Sequence, residues 1–204
     1  MNRYILSILL AVVIGSNTAK AQGPFDQLLT FGWDVNIPLG DKYVDDISWA
    51  GGKFEFRKMI DEKMSLGFDL SWNSYYTYVD YQTYHLNATT DATTDLFKYN
   101  YTLPMAITAD WYFPGGGHFI PYVGLGMGAM YSQPKLYFNI YEFNEENWGF
   151  LVRPEIGTII KFDPAGDVGL MLAARYSYST NEEPKFRISN LQALGFNLGF
   201  VWLY

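Results

Sequence analysis

Residues 194–204 read LGFNLGFVWLY and alternate without a break. Leu194, Phe196, Leu198, Phe200, Trp202 and Tyr204 form one bulky apolar row that ends on an aromatic ring. Gly195, Asn197, Gly199, Val201 and Leu203 form the other, smaller and partly polar. A period of two marks a β-strand, because successive side chains point to opposite faces. The two faces here require different surroundings: one apolar, the other crowded and partly polar.

The same alternation recurs upstream. It predicts eight strands, over about 29–37, 47–58, 64–78, 99–113, 119–131, 148–162, 168–178 and 194–204. In the second, Trp49 falls out of phase with Phe54 and Phe56, and a β-bulge at Gly51-Gly52 is expected to restore the phase. Pro104 and Pro154 lie inside strands, where each deletes a ladder hydrogen bond, so a bulge or local break is expected at both. Turn-forming residues at Ile60-Asp61-Glu62, Pro114-Gly115-Gly116-Gly117 and Asp163-Pro164-Ala165-Gly166 make three short connections. Long connections at about 38–46, 77–97, 132–147 and 179–190 alternate with them. This is an all-β, antiparallel up-and-down meander, expected to close with its first strand beside its eighth.

A barrel in water places its apolar row inside, and a barrel in lipid places it outside. The sequence favours the second arrangement. The smaller row is rich in glycine (Gly124, Gly126, Gly128, Gly157, Gly169), which suits a crowded interior better than a hydrated surface. Aromatic residues gather at both strand ends, Tyr76, Tyr99 and Trp148 at one, Trp111, Phe162 and Trp202 at the other. Two aromatic girdles around an aliphatic band match a membrane with two interfaces.

Composition agrees. The 204 residues include 17 Tyr, 15 Phe and 6 Trp, yet mean hydropathy is only −0.06. Residues 1–21 read as a cleaved signal peptide: Arg3, an apolar run from Tyr4 to Ile14, and the small-x-small site Ala19-Lys20-Ala21. Residues 22–204 are then the barrel domain. The formal charge of −7 argues against nucleic-acid binding. There is no cysteine for a disulfide or a lipid anchor.

On these residues the chain resembles the small eight-stranded outer-membrane barrels of the OmpA, OmpX and OmpW type. More narrowly, it is similar to the outer-membrane β-barrel domain proteins abundant in Bacteroidota. The resemblance implies a Gram-negative outer-membrane location, contact with lipid and lipopolysaccharide, and insertion by the barrel-assembly machinery. Phe200, Trp202 and Tyr204 would supply the assembly signal. It also implies a non-enzymatic role in membrane integrity, or as an accessory to a larger outer-membrane protein complex. The alternative is a narrow, porin-like conduit of the OmpW kind. No wall-anchoring domain is expected after Tyr204.

By parity the inward row carries Asp34, Lys53, Glu55, Arg57, Asp69, Lys98, Asp110, Arg153, Glu155 and Arg175. An outward arginine at mid-membrane costs roughly 2–4 kcal/mol, whereas an inward one can pair. The hairpin at 163–166 should bring Arg175 near Arg153 and Glu155, and that at Ile60 should bring Lys53 near Asp69. Such a set either fills a narrow lumen or lines a gated polar path.

No catalytic, cofactor or metal residues are expected. Outer-leaflet acyl chemistry needs a serine with a histidine and an acid. His118 lies beside a short turn and His85 in a long polar loop, and neither is paired with a strand serine. The loop acids (Asp41, Asp45, Asp46, Asp80, Glu142, Glu145 among them) lack calcium-loop spacing. They form an acidic rim that divalent cations would bridge to lipopolysaccharide phosphates. The second loop, 87–95, is expected to be mobile. Tyr137, Phe138, Tyr141 and Phe143 in the third loop either extend the barrel or meet a partner.

Overall fold

The computed structural model describes residues 24–40, 43–87, 90–113, 117–139 and 141–204. The expected leader falls outside them, as do residues 114–116 of the second turn. Nine strands follow in order: β1 (Gln27–Leu39), β2 (Ala50–Met59), β3 (Met64–Asn87), β4 (Thr90–Tyr112), β5 (Phe119–Phe138), β6 (Tyr141–Asn144), β7 (Asn147–Lys161), β8 (Val168–Ser179) and β9 (Leu191–Leu203). Eight close into an antiparallel barrel in the order β4-β3-β2-β1-β9-β8-β7-β5, and a β4–β5 pairing seals the ring. The opening segment of the sequence argument, β9, pairs with β1 without interruption from Leu28↔Leu203 to Leu39↔Gln192. The ninth strand, β6, is an addition that pairs only with the outer end of β5.

Orientation follows from burial. Leu198 on β9 is 46% exposed and Ile107 on β4 is 68% exposed, while Arg57 on β2 is 1% exposed. The apolar row faces out and the charges face in. A continuous apolar wall of this extent is stable in hydrocarbon and not in water.

The phase change in the second strand is a bulge. Trp33 pairs with Gly52 and Asn36 with Ser48, so three steps on β1 span four on β2. Ser48 then points inward and Trp49 outward, although Lys53 and Glu55 set the opposite parity. Glycine is needed at 51 because a Cβ there would run into the Asp34 carbonyl and the Asn73 side chain.

Both strand prolines break one ladder and leave the other intact. Leu103, Pro104 and Met105 pair with β5 in unbroken register, while the β3 ladder skips from Leu70↔Met105 to Asn73↔Thr102. Pro154 pairs with Leu125 of β5, while the β8 ladder skips from Val152↔Tyr178 to Glu155↔Arg175. In an antiparallel strand a residue directs its N–H and C=O toward one neighbour. Each proline therefore costs bonding on one side alone, and no bulge is required.

The long connections differ from expectation in two places. The 77–97 segment is not a loop: β3 continues to Asn87 and β4 begins at Thr90. At 24 residues β3 exceeds twice the roughly 9–11 that a tilted strand needs to cross the bilayer. The hairpin is held by the Thr83–Thr93 hydroxyl pair (2.9 Å) and by Tyr78 donating to Asp95 (3.3 Å). In the third connection β5 runs on to Phe138 and β6 returns beside it, so its aromatics extend the sheet. Above the barrel, β3, β4, β5 and β6 form an upright four-stranded sheet.

Candidate functional site

The lumen is built in layers, starting at the short-turn end. There Leu28, Met59, Tyr112, Ile120, Ile159, Met171 and Leu203 pack with Phe25 into an apolar plug. All but Phe25, which precedes β1, lie on the inward rows of their strands, nearer the short turns than the charges.

The charged layer lies above. Lys53 on β2 reaches across the barrel to Glu155 on β7 (2.6 Å), and also contacts Glu55 and Asp69 (3.2 Å for the latter). The Arg57 guanidinium donates to Glu155 at 2.8 Å, approaches Asp110 at 3.3 Å and Glu55 at 3.4 Å, and lies over the Tyr122 ring at 4.5 Å. Tyr122 donates to the same Glu155 oxygen at 2.7 Å. Arg153 on β7 crosses to Asp69 (2.8 Å) and Ser71 (3.1 Å) on β3, and its Nε donates to Ser177 on β8 (3.1 Å). Ser71 and Ser177 sit at the two proline gaps, so side-chain bonds to one guanidinium occupy both breaks. Arg175 pairs with Asp34 on β1, whose other donor is Asn36 at 3.0 Å. Within β2, β3, β4, β7 and β8 the expected site residues Lys53, Glu55, Arg57, Asp69, Asp110, Arg153, Glu155 and Arg175 are all buried.

Lys53 meets Asp69, and Arg175 stands opposite Glu155 in the β7–β8 ladder, while its ion pair is made with Asp34. Lys98 faces inward higher up, half-buried, with its ammonium 5.6 Å from the centre of the Tyr43 ring. Tyr112 and Tyr122 join the set without having been expected there, although their inward parity is readable from the sequence. The carboxylates of Glu55, Asp69 and Glu155 come within 4.8 Å of one another, the spacing of a metal cage. The Lys53 ammonium lies among them and contacts all three.

Chain from two distant loops closes the top. Tyr43 and Val44 after β1 meet Ile188 and Phe186 before β9, with Tyr75 of β3 beneath. Tyr43 donates to the Lys135 carbonyl at 2.7 Å, and burial pushes its hydroxyl well above the usual range. Between this cap and Arg153 is a cavity of about 30 Å³, room for about two waters.

Outside, Tyr76, Tyr78, Phe97, Tyr99 and Tyr137 form a connected aromatic face where the sheet leaves the barrel, with ring centroids 5.0–6.4 Å apart. Beyond it Lys135 pairs with Glu142 (3.2 Å) and Lys185 with Glu145. The lysine hydrogen bond holds the Glu142 carboxyl below its ordinary value, and Glu145 raises Lys185. His118 bonds the Lys161 carbonyl at 2.9 Å by the short turns, and the His85 side chain lies outside the described residues.

No family model matches the chain, and no curated protein does. Solved structures do. The attachment invasion locus protein Ail of Yersinia pestis, in complex with the heparin analogue sucrose octasulfate, superposes with a TM-score of 0.53 at 13% identity, covering 88% of this chain and 99% of that one. Neisserial surface protein A gives 0.52 at 12% identity, covering 89% and 98%. The fold is that of a small eight-stranded outer-membrane β-barrel. At these identities the likeness speaks for architecture alone.

Proposed function

We propose that this protein is a sealed, non-enzymatic barrel of a bacterial outer membrane that works through its external surface. Its upright sheet and aromatic face would contact lipopolysaccharide or a larger envelope complex. The observation that carries this reading is the closed lumen, with an apolar plug below, cross-barrel ion pairs in the middle and a loop cap above. Among the described residues no polar route leads through it, which weighs against a conduit. Export by a cleaved leader over 1–21 and insertion through Phe200, Trp202 and Tyr204 complete the proposal.

Ail binds a sulfated polyanion, and this chain's rim is poorly suited to one. Its described residues above the barrel include Asp45, Asp46, Asp80, Asp95, Glu142, Glu145, Glu146, Glu182 and Glu183. Lys135 and Lys185, the rim lysines nearest them, are already paired. Contact with phosphate-rich lipopolysaccharide would need divalent cations to screen like charges. The test has two parts. Planar-bilayer recordings should show no steady, solute-dependent conductance. Binding to lipopolysaccharide vesicles should require Mg²⁺ and be abolished by EDTA. Steady conductance would overturn the sealed reading, and EDTA-insensitive or absent binding would overturn the lipopolysaccharide contact.

A further inference from the structure

The buried ion set does not balance. Among the described residues it holds four cations, Lys53, Arg57, Arg153 and Arg175. Against them stand five carboxyls, Asp34, Glu55, Asp69, Asp110 and Glu155. Lys98 is higher, against the cap, and the described histidine, His118, is at the short-turn end. An uncompensated buried carboxylate is so costly that the group takes up a proton instead. We propose that the sealed lumen is a proton-binding site, with one proton retained at neutral pH on Glu55.

Hydrogen-bond accounting selects the residue. Arg175 and Asp34 form a one-to-one pair, so the surplus lies among the other seven groups. Both Glu155 oxygens are served, one by Arg57 and Tyr122, the other by Lys53. Both Asp69 oxygens are served, one by Arg153 and Ser71, the other by Lys53. Asp110 takes the Ser65 hydroxyl (3.1 Å) and Arg57 on one oxygen. Glu55 is 1% exposed, shares Lys53 and Arg57 through Oε1 alone, and leaves Oε2 buried with no partner. Every other anion facing it competes for the same two cations: Asp69 from β3, Asp110 from β4 and Glu155 from β7. Across the lumen Arg153 is committed to Asp69 and Arg175 to Asp34. An ammonium and two guanidiniums thus serve four carboxyls, and Glu55, the one of the four with an oxygen left buried without a partner, is neutral.

The inference rests on the lumen being sealed, and not on what the outer surface contacts. The test uses the folded barrel in lipid at neutral pH. The infrared spectrum of the parent should contain the carbonyl stretch of a protonated carboxyl, and Glu55→Gln should abolish it while leaving the melting temperature unchanged or higher. The same chemical change at a charged neighbour, Glu155→Gln or Asp69→Asn, should lower the melting temperature by on the order of 10 °C. Absence of the band from the parent would mean that a bound cation neutralises the surplus, and would refute the proposal even if no variant folds. Persistence of the band in Glu55→Gln, or a loss of stability equal to that of Glu155→Gln, would refute the assignment to Glu55.

Discussion

Replacing Arg175 with methionine tests the ion network at its simplest point. The side chain is fully enclosed, and its one ion-pair partner is Asp34, itself 0% exposed. Methionine preserves much of the stem volume, so the change removes charge more than packing. Removing one partner of a buried pair costs about 3–5 kcal/mol, because the other charge stays buried. Asn36 still donates to Asp34 at 3.0 Å, which places the expected loss near the lower end. The variant also widens the lumen imbalance from one surplus carboxyl to two.

The double variant Arg175→Met/Asp34→Asn removes both charges and returns the imbalance to one. It should recover at least about 2 kcal/mol of the loss, giving a coupling well above the value for surface pairs. Reversible urea unfolding into vesicles, followed by tryptophan fluorescence and by heat-modifiable migration on gels, supplies the free energies. A loss under about 1 kcal/mol for the single variant, or no recovery in the double, would show that the lumen is hydrated and that its charges are screened. The reasoning about a sealed interior would then be wrong.

Other parts of the fold make separate predictions. Leu198→Arg, in the middle of the outer belt, should cost roughly 2–4 kcal/mol in the same unfolding assay, while Leu198→Phe should be nearly neutral. Gly157→Val sets a Cβ 2.6 Å from the Tyr122 hydroxyl and 2.7 Å from the Leu172 carbonyl. It should displace the Tyr122–Glu155 bond and cost about 1–3 kcal/mol. The β5–β6 hairpin should depend on pH through Glu142, whose folded-state value is depressed by Lys135. Its contribution is fully present above the unfolded carboxylate value and is lost as pH falls through the lower folded one. Amide exchange of β6 across that acidic range should show selective loss of protection, which Lys135→Met should abolish.

Parity made much of this legible. A charge inside a strand whose alternate positions are leucine and phenylalanine can face only one way, so Arg57, Arg153 and Arg175 could be placed without coordinates. The Gly51 bulge and the two proline gaps were legible for the same reason, as local breaks of a local rule. Cross-lumen partnership was not. Whether Lys53 meets Glu155 depends on the stagger of three intervening strands, a property of closure that no segment carries. The Arg175–Asp34 pair skips β9 entirely. The tall β3–β4 hairpin was hidden because both of its faces are polar or aromatic, so Thr83, Thr93 and Asp95 read as loop composition where no lipid imposes contrast. The cap was hidden because Tyr43 and Ile188 lie 145 positions apart, and neither belongs to a periodic segment.

A lumen filled with leucine would be at least as stable as one filled with buried ion pairs. The ions do something that leucine cannot. Their strands are apolar on the other face, so a slip of one residue in any pairing turns the charges toward lipid and the bulky residues inward. At roughly 2–4 kcal/mol for each exposed arginine or lysine at mid-membrane, turning out Lys53 and Arg57 of β2 alone would cost about 4–8 kcal/mol, a large share of the whole stability of a domain. An all-leucine interior would carry no such penalty, because slipped and native registers would both present apolar side chains to lipid. The network is therefore expected to act as a register device. Replacing Lys53, Glu55, Arg57 and Glu155 together by apolar residues should leave a barrel that still inserts but populates more than one register. Extra cross-peaks for β2 and β3 amides in a bilayer NMR spectrum would reveal this, and a single set of sharp peaks with parent chemical shifts would refute it.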